Sequence, residues 1–263
     1  MGLFLLSITS FSLQAAVFEV DGIKYKTDDR QKKVDVIGNN YQGDVVIPAS
    51  VEYRGIVYKV TEIEDMAFSA CSQLTSVTIP ASVRDIDDEA FENSPLLQKI
   101  IVDPNNRYFK DVDGILYTKN MREIVLYPPG IKAESFSIPD GVREINARAF
   151  AGVTQLKKIT LPNSLVEIED EAFYGCTGLT EITVPKKVRE LGDNIFGEAE
   201  NLQSVYFEGN LPDAPDPDDI DEFIYASRRG KLIDATSYYK ENKSGWNRIH
   251  NTWQGRPVEF DSR

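Results

Sequence analysis

Histidine, cysteine and positive charge are what this chain has little of, and each scarcity removes a class of chemistry. One histidine, His250, stands among 263 residues. It lies beside Asn251 and Trp253, with no cysteine partner at useful spacing and no serine nucleophile elbow anywhere, so the parts of a triad are missing. Zinc-ligand spacing and a phosphate-cradling glycine loop are missing too. The sequence therefore implies no catalytic residue, no metal site and no cofactor. Lys and Arg total 29 against 42 Asp and Glu, a formal net charge of -13, and phosphate binding needs clustered cations, so no nucleic-acid partner is expected.

Long apolar runs are equally scarce. Residues 1–16 carry no charge and place Leu3, Phe4, Leu5, Leu6, Ile8, Phe11 and Leu13 before Gln14-Ala15-Ala16. This pattern resembles the apolar centre and small-residue end of a secretory signal. No later stretch approaches the roughly 18 residues of a membrane helix, so no transmembrane segment is expected. No cysteine lies near the cut site to carry a lipid.

What the chain has is a repeat. Phe68 and Phe91 are 23 residues apart, as are Phe150 and Phe173, and Phe173 and Phe196; Phe91 and Phe150 are separated by one repeat plus 36 residues. Other columns hold the same register. Ile63, Ile86, Ile145, Ile168 and Leu191 precede the Phe, and Leu74, Leu97, Leu156, Leu179 and Leu202 follow it. L-x-x-L-x-L inside such a period marks a leucine-rich repeat, in which one coil cannot bury its apolar side without its neighbours. The fold class expected is a mainly β repeat solenoid of parallel strands with short helical turns.

Within a copy, residues 74–79 read as a strand with Leu74, Val77 and Ile79 inward and Thr75, Ser76 and Thr78 outward. Residues 83–86 read as a second short strand, and Asp87-Asp88-Glu89-Ala90-Phe91 as a helical turn with acids at its start. Cys71 and Cys176 both fall three residues after the Phe, in a column of small side chains. They are expected as buried free thiols, at least three coils or roughly 14 Å apart, beyond disulfide reach.

Around the repeats, residues 17–59 alternate apolar and polar about hairpin signals such as Asp21-Gly22 and Arg54-Gly55 and read as a β-rich cap. The solenoid is expected over 60–207 with an insertion at 103–142, where Asp113-Gly114 turns a hairpin between residues 109–112 and 115–118. Strands at 124–127 and 136–138 follow, each leading into Pro. Residues 208–263 read as an acidic loop and an aromatic C-terminal cap. The acids at 213–222 do not fit a calcium-binding EF-hand, because its sixth and twelfth positions counted from Asp216 hold Asp221 and Ser227 instead of Gly and Glu.

The phrase V-E-I-E-D-E-A-F-Y-G-C-T-G-L-T-E-I-T-V-P at 166–185, with Asp113-Gly114-Ile115-Leu116-Tyr117 and Tyr127-Pro128-Pro129-Gly130, resembles the BspA-like leucine-rich repeats of bacterial surface and secreted proteins. The flanks at 43–60 and 245–258 are similar to those of such proteins from anaerobic gut and mouth bacteria. The resemblance implies a curved, parallel-stranded solenoid that is exported (secreted, periplasmic or at the cell surface) and associated with adhesion to matrix proteins or cells. It brings no catalytic motif.

Specificity then belongs to columns that vary. The concave strand face is expected to present Lys99, Ile101, Lys157, Lys158, Thr160, Glu181, Thr183, Gln203 and Tyr206 to a host or bacterial surface protein, or to a glycan. A fixed scaffold role in an envelope complex is the alternative. A glycan-active enzyme would need a deep cleft with two close carboxylates. The acids Glu62, Asp85, Glu144, Glu167 and Glu190 recur in one column, whereas catalytic acids are singular and differ in environment. That column reads as exposed charge serving solubility and edge-pair charge balance.

Overall fold

The computed structural model describes residues 15–213, 235–239, 243–246, 252–254 and 256–261. Most of the expected signal segment, the acids from Asp216 to Glu222, and His250 lie outside the described residues.

All regular structure among the described residues is strand. The chain opens as an antiparallel meander of β1 (Val17–Val20), β2 (Ile23–Asp28) and β3 (Lys33–Val36). Asp21 and Gly22 take positive φ at its first turn (50° and 79°), the geometry a two-residue hairpin needs. The expected second hairpin is β5 (Ser50–Tyr53) with β6 (Ile56–Ile63), turning at Arg54-Gly55. Because β3 lies parallel to β6, the meander covers the edge of the first coil. Phe18 stacks on Tyr53 at 4.1 Å between centroids and sits 5.6 Å from Tyr25, sealing that end with apolar surface.

From there the chain winds between two walls. One wall carries the longer strand of each coil: β4 (Gln42–Val46), β7 (Gln73–Ile79), β9 (Lys99–Val102), β13 (Ser135–Ser137), β15 (Lys158–Thr160), β17 (Glu181–Val184) and β19 (Ser204–Phe207). The other carries β8 (Asp85–Ile86), parallel to β6, and then β12 (Glu123–Leu126), β14 (Glu144–Ile145), β16 (Glu167–Ile168) and β18 (Glu190–Leu191), parallel and in register. The inward columns are buried: Leu74, Leu97, Leu156, Leu179 and Leu202 among them. Each such side chain contributes about 1.5–3 kcal/mol on leaving water. The repeat Phe rings form a stack through the core, with centroids 5.3 Å apart for Phe68–Phe91, 5.2 Å for Phe150–Phe173 and 5.8 Å for Phe173–Phe196.

The turn before each Phe is not helical. The residue two before the Phe takes positive φ at Met66, Arg148, Glu171 and Asn194, and a left-handed residue ends any right-handed helix. Instead three of the turns bond to the next coil: Phe68 N–H donates to Ala90 O at 2.6 Å, and Phe150 N–H to Ala172 O and Phe173 N–H to Ile195 O, both at 2.9 Å.

The insertion holds the hairpin β10 (Phe109–Val112) and β11 (Ile115–Thr118), followed by β12 and β13. It keeps the ring stack going, because Tyr127 lies 5.2 Å from Phe150 and its N–H donates to Ala149 O, taking the place of a repeat Phe. The core nevertheless divides here into two clusters, with Leu116 in the first and Ile115 and Tyr117 in the second. Glycines fasten the join: Ile100 N–H donates to Gly114 O, and a Cβ at Gly130 would stand 2.6 Å from Leu97 O.

At the far end, where the period fades, the long-strand wall continues as β20 (Thr236–Tyr239) and β22 (Arg256–Phe260), parallel to β19, with β21 (Thr252–Trp253) antiparallel to β22. Trp246 fills the core there, 5.1 Å from Phe207 and stacked on Tyr239.

Candidate functional site

The expected face is not one continuous sheet. Its strands form three ladders: β4-β7-β9, β13-β15, and β17-β19-β20-β22. Lys99 and Ile101 lie exposed in the first. Register sets Val46, Thr78 and Ile101 in one row and Asp44, Ser76 and Lys99 in another. Ser76, expected outward, is buried: its hydroxyl and that of Thr75 donate to Asp44 Oδ1. These bonds hold the Asp44 carboxyl below the usual carboxylate range.

The other seven residues lie beyond the insertion. Lys158 and Thr160 are exposed on β15, Glu181 and Thr183 on β17; Gln203 immediately precedes β19, and Tyr206 lies in it. Lys157, just before β15, pairs with Glu134 at 2.8 Å. Both side chains are well exposed, so this pair contributes little to stability. Tyr206 stacks on Tyr238 at 4.8 Å. Tyr238 joins the face through β20, which sequence reasoning treated only as cap aromatic.

Between β15 and β17 the ladder is open, each strand being paired on its other side only. A cleft of about 470 Å³ lies there. Its polar lining comes from Lys157, Lys158, Thr160, Asn163, Thr180, Glu181, Thr183 and Glu208, over buried Ile159, Leu161 and Ile182. Five of the nine expected residues meet in it. Asn163 and Glu208 were not anticipated, because they lie past the ends of β15 and β19, outside the outward strand columns.

The opposite wall is acidic. Glu123, Glu144, Glu167 and Glu190 are in register on successive strands, and Glu190 bridges to Asp213. The expected charge balance along this column is largely missing. Burial first, then a hydrogen bond from its protonated carboxyl to Glu169 and the charge of neighbouring carboxylates, push Glu144 up to about 7. Burial and Glu190 raise Glu167, with Arg189 opposing. Burial and the neighbouring acids Glu62 and Glu64 push Asp35 up to about 6. A groove of about 570 Å³ runs along this wall beside Asp88, Glu169, Asp170 and Asp193. Among the described residues no group of three or more His, Cys, Asp or Glu is arranged to hold a metal ion.

Two internal features matter for rigidity. Arg148 reaches back across the insertion to Glu89 and Glu92, the latter at 3.0 Å, and forward to Glu171 at 3.2 Å, its side chain 13% exposed. The cysteines are free and buried. Cys176 Sγ donates to Phe150 O at 3.1 Å and, in the same column, Ser94 Oγ donates to Phe68 O at 2.6 Å. The column therefore caps a carbonyl of the preceding coil, and burial pushes the Cys176 thiol up to about 12.

No helix among the described residues is long and apolar enough to cross a membrane. No curated protein matches the chain. Among solved structures, a leucine-rich repeat protein from Eubacterium ventriosum is similar at 19% identity, TM-score 0.55, over 86% of this chain and 79% of that one. The pneumococcal vaccine antigen PcpA aligns at 19% identity and TM-score 0.49, over 88% and 89%. A leucine-rich cell surface protein from Faecalibacterium prausnitzii aligns at 19% and 0.48, over 94% and 77%. The model of the BspA type leucine-rich repeat region, in six copies, matches residues 49–128 and 129–216. With that repeat spanning more than half of its length and the coils stacked as the repeat requires, the chain belongs to the BspA-type leucine-rich repeat family.

Proposed function

We propose that this protein is a non-catalytic, exported binding module that engages a surface protein or a glycan through the long-strand wall beyond the insertion. In this reading residues 1–16 direct export, 17–59 cap the first coil, 60–207 form the solenoid and 208–263 close it. The observation that carries the reading is the convergence of the variable columns. Lys158, Thr160, Glu181 and Thr183 stand exposed around one cleft, with Gln203 and the Tyr206–Tyr238 pair on the adjoining strands. Constant columns point into the core and varied columns point out, which is how solenoids present extended binding surfaces. Membership of the BspA-type family supports a place at the cell surface or outside the cell.

The chemistry of the acidic wall also speaks against catalysis. Hydrolysis of a glycosidic bond needs two carboxyls flanking that bond, about 5–9.5 Å apart. Glu144 and Glu169 are close enough to share a hydrogen bond, which leaves no room for a sugar oxygen between them.

Binding of the full chain to an array of matrix proteins and glycans tests the reading. Saturable binding is expected, and the triple variant Lys157→Glu, Lys158→Glu, Tyr206→Ala should lose it while keeping the wild-type melting temperature. Binding that survives the triple variant removes the assignment to this wall.

A further inference from the structure

We infer that the opening between β15 and β17 is a cleft for a neutral oligosaccharide, which gives the binding wall its ligand chemistry and rests on that reading of the wall. Gln203 N–H donates to Thr180 O at 2.9 Å and Glu208 N–H to Val184 O at 3.0 Å, so the even-numbered residues of β17 face β19. Alternation along a parallel strand then turns the N–H and C=O of Glu181 and Thr183 toward β15. On β15, Lys158 N–H donates to Glu134 O and Thr160 O accepts from Ile138 N–H; both residues face β13, and the backbone of Ile159 faces β17. Elsewhere on this wall, residues one repeat apart are ladder partners, as in Ser76 with Lys99 and Glu181 with Ser204. Here the same spacing places donors and acceptors opposite one another without a ladder. Backbone polar groups are seldom left without a partner. A ligand carrying both donor and acceptor on each group can satisfy them.

Charge selects the class of ligand. The cleft sets the cations Lys157 and Lys158 against the anions Glu181 and Glu208, and with Glu134 paired to Lys157 neither sign stands alone there, on a chain of formal net charge -13. An anionic ligand meets the two carboxylates and a cationic one meets the two ammonium groups, whereas hydroxyls use both. Hydroxyls of Thr160 and Thr183 extend that set, and the buried Ile159 and Ile182 anchor the two strands in the core beneath it. The volume, about 470 Å³, lies within the range of roughly 300–1,000 Å³ typical of small-ligand clefts. The opening is local to the strands: upstream, the same two coils touch so closely that a Cβ at Gly178 would stand 2.4 Å from Leu156 O. The cleft is therefore preformed, held by a tight contact on one side and by the Phe150–Phe173 stack on the other.

Isothermal titration of the full chain with cellohexaose, maltohexaose and xylohexaose, beside an anionic hyaluronan hexamer and a cationic chitosan hexamer, tests the inference. At least one neutral hexasaccharide should saturate the protein at one per chain, with affinity nearly unchanged between about 0.05 and 0.5 M salt, since no net charge is screened. Lys158→Ala with Glu181→Ala should weaken it about tenfold or more, the loss of roughly one good hydrogen bond; Glu52→Ala, exposed on β5 of the N-terminal cap, should not. Both altered side chains are exposed, so the melting temperature should hold. Amide exchange at Glu181 and Thr183 should slow on binding. Silence of all three neutral sugars, or binding indifferent to the double variant, overturns the inference. If a protein or a charged glycan still binds the wall in that case, the binding-module reading stands without the cleft. If nothing binds the wall, both fall.

Discussion

Replacing Phe173 by alanine removes the central ring of the stack that runs from Tyr127 through Phe150 and Phe173 to Phe196. The side chain is fully buried, and its neighbours cannot close on the gap without shortening the repeat, since Phe173 N–H is tied to Ile195 O at 2.9 Å and Phe150 N–H to Ala172 O at the same distance. Loss of a buried Phe with incomplete collapse costs about 3–5 kcal/mol. Two ring contacts, each worth about 0.5–1.5 kcal/mol beyond area, place Phe173 toward the upper end. With a urea m-value of about 2–3 kcal/mol/M, a loss of about 4 kcal/mol lowers the unfolding midpoint by roughly 1.3–2 M. Phe91 has its one stacked partner in Phe68 and sits where the core divides, so Phe91→Ala should cost less. Equilibrium unfolding followed by tryptophan fluorescence and by circular dichroism reads both. A midpoint change for Phe173→Ala within error of zero, or one smaller than that of Phe91→Ala, refutes the reasoning about stacked coils.

Three further outcomes follow from the same structure. The folded-state pKa of Glu144, raised to about 7 from an ordinary value near 4.3, means that the folded state binds the extra proton; stability falls as pH rises through that window and is lowest above it. Glu144→Gln should therefore raise the melting temperature at pH 8 and change it little at pH 5, and an equal shift at both would refute the raised pKa. Arg148→Leu strands the carboxylates Glu89, Glu92 and Glu171 around an apolar side chain and should destabilise by roughly 3 kcal/mol, toward the lower end of the cost of breaking a buried pair; a thermal melt unchanged from wild type would contradict the bracing role. The thiol of Cys176, pushed up to about 12 by burial, should resist a thiol reagent at pH 8 until the chain unfolds; rapid labelling of the native protein would show that the column is open.

The parts legible in the sequence are those with local or periodic signals. The 23-residue columns gave the core and the two walls, Asp21-Gly22, Arg54-Gly55 and Asp113-Gly114 gave the hairpins, and the small-residue column gave the fate of both cysteines. What escaped depends on contacts between coils. The break between β15 and β17 has no signature in either strand, whose residues follow the repeat without fault. The turns before the Phe read as helical because Met66, Arg148 and Glu171 are not residues that advertise a left-handed backbone; only Asn194 does. Ser76 was expected outward from alternation, yet Asp44 on the neighbouring strand covers it. Past Phe207 the period is lost, and Trp246 packs on Phe207 and Tyr239 with no repeat column to announce it, so β20 and β22 could not be foreseen as continuations of the same wall. At the candidate site, the strand columns were visible and their meeting in one cleft was not.

The most direct test of the account is hydrogen exchange on the full chain with and without the strongest ligand found on the array, read peptide by peptide. Slowed exchange confined to β15, β17 and β19, with the Glu144–Glu167–Glu190 wall unchanged, is the predicted result. Protection along that acidic wall, with the long strands unaffected, would contradict the claim that this solenoid binds through its variable strand columns.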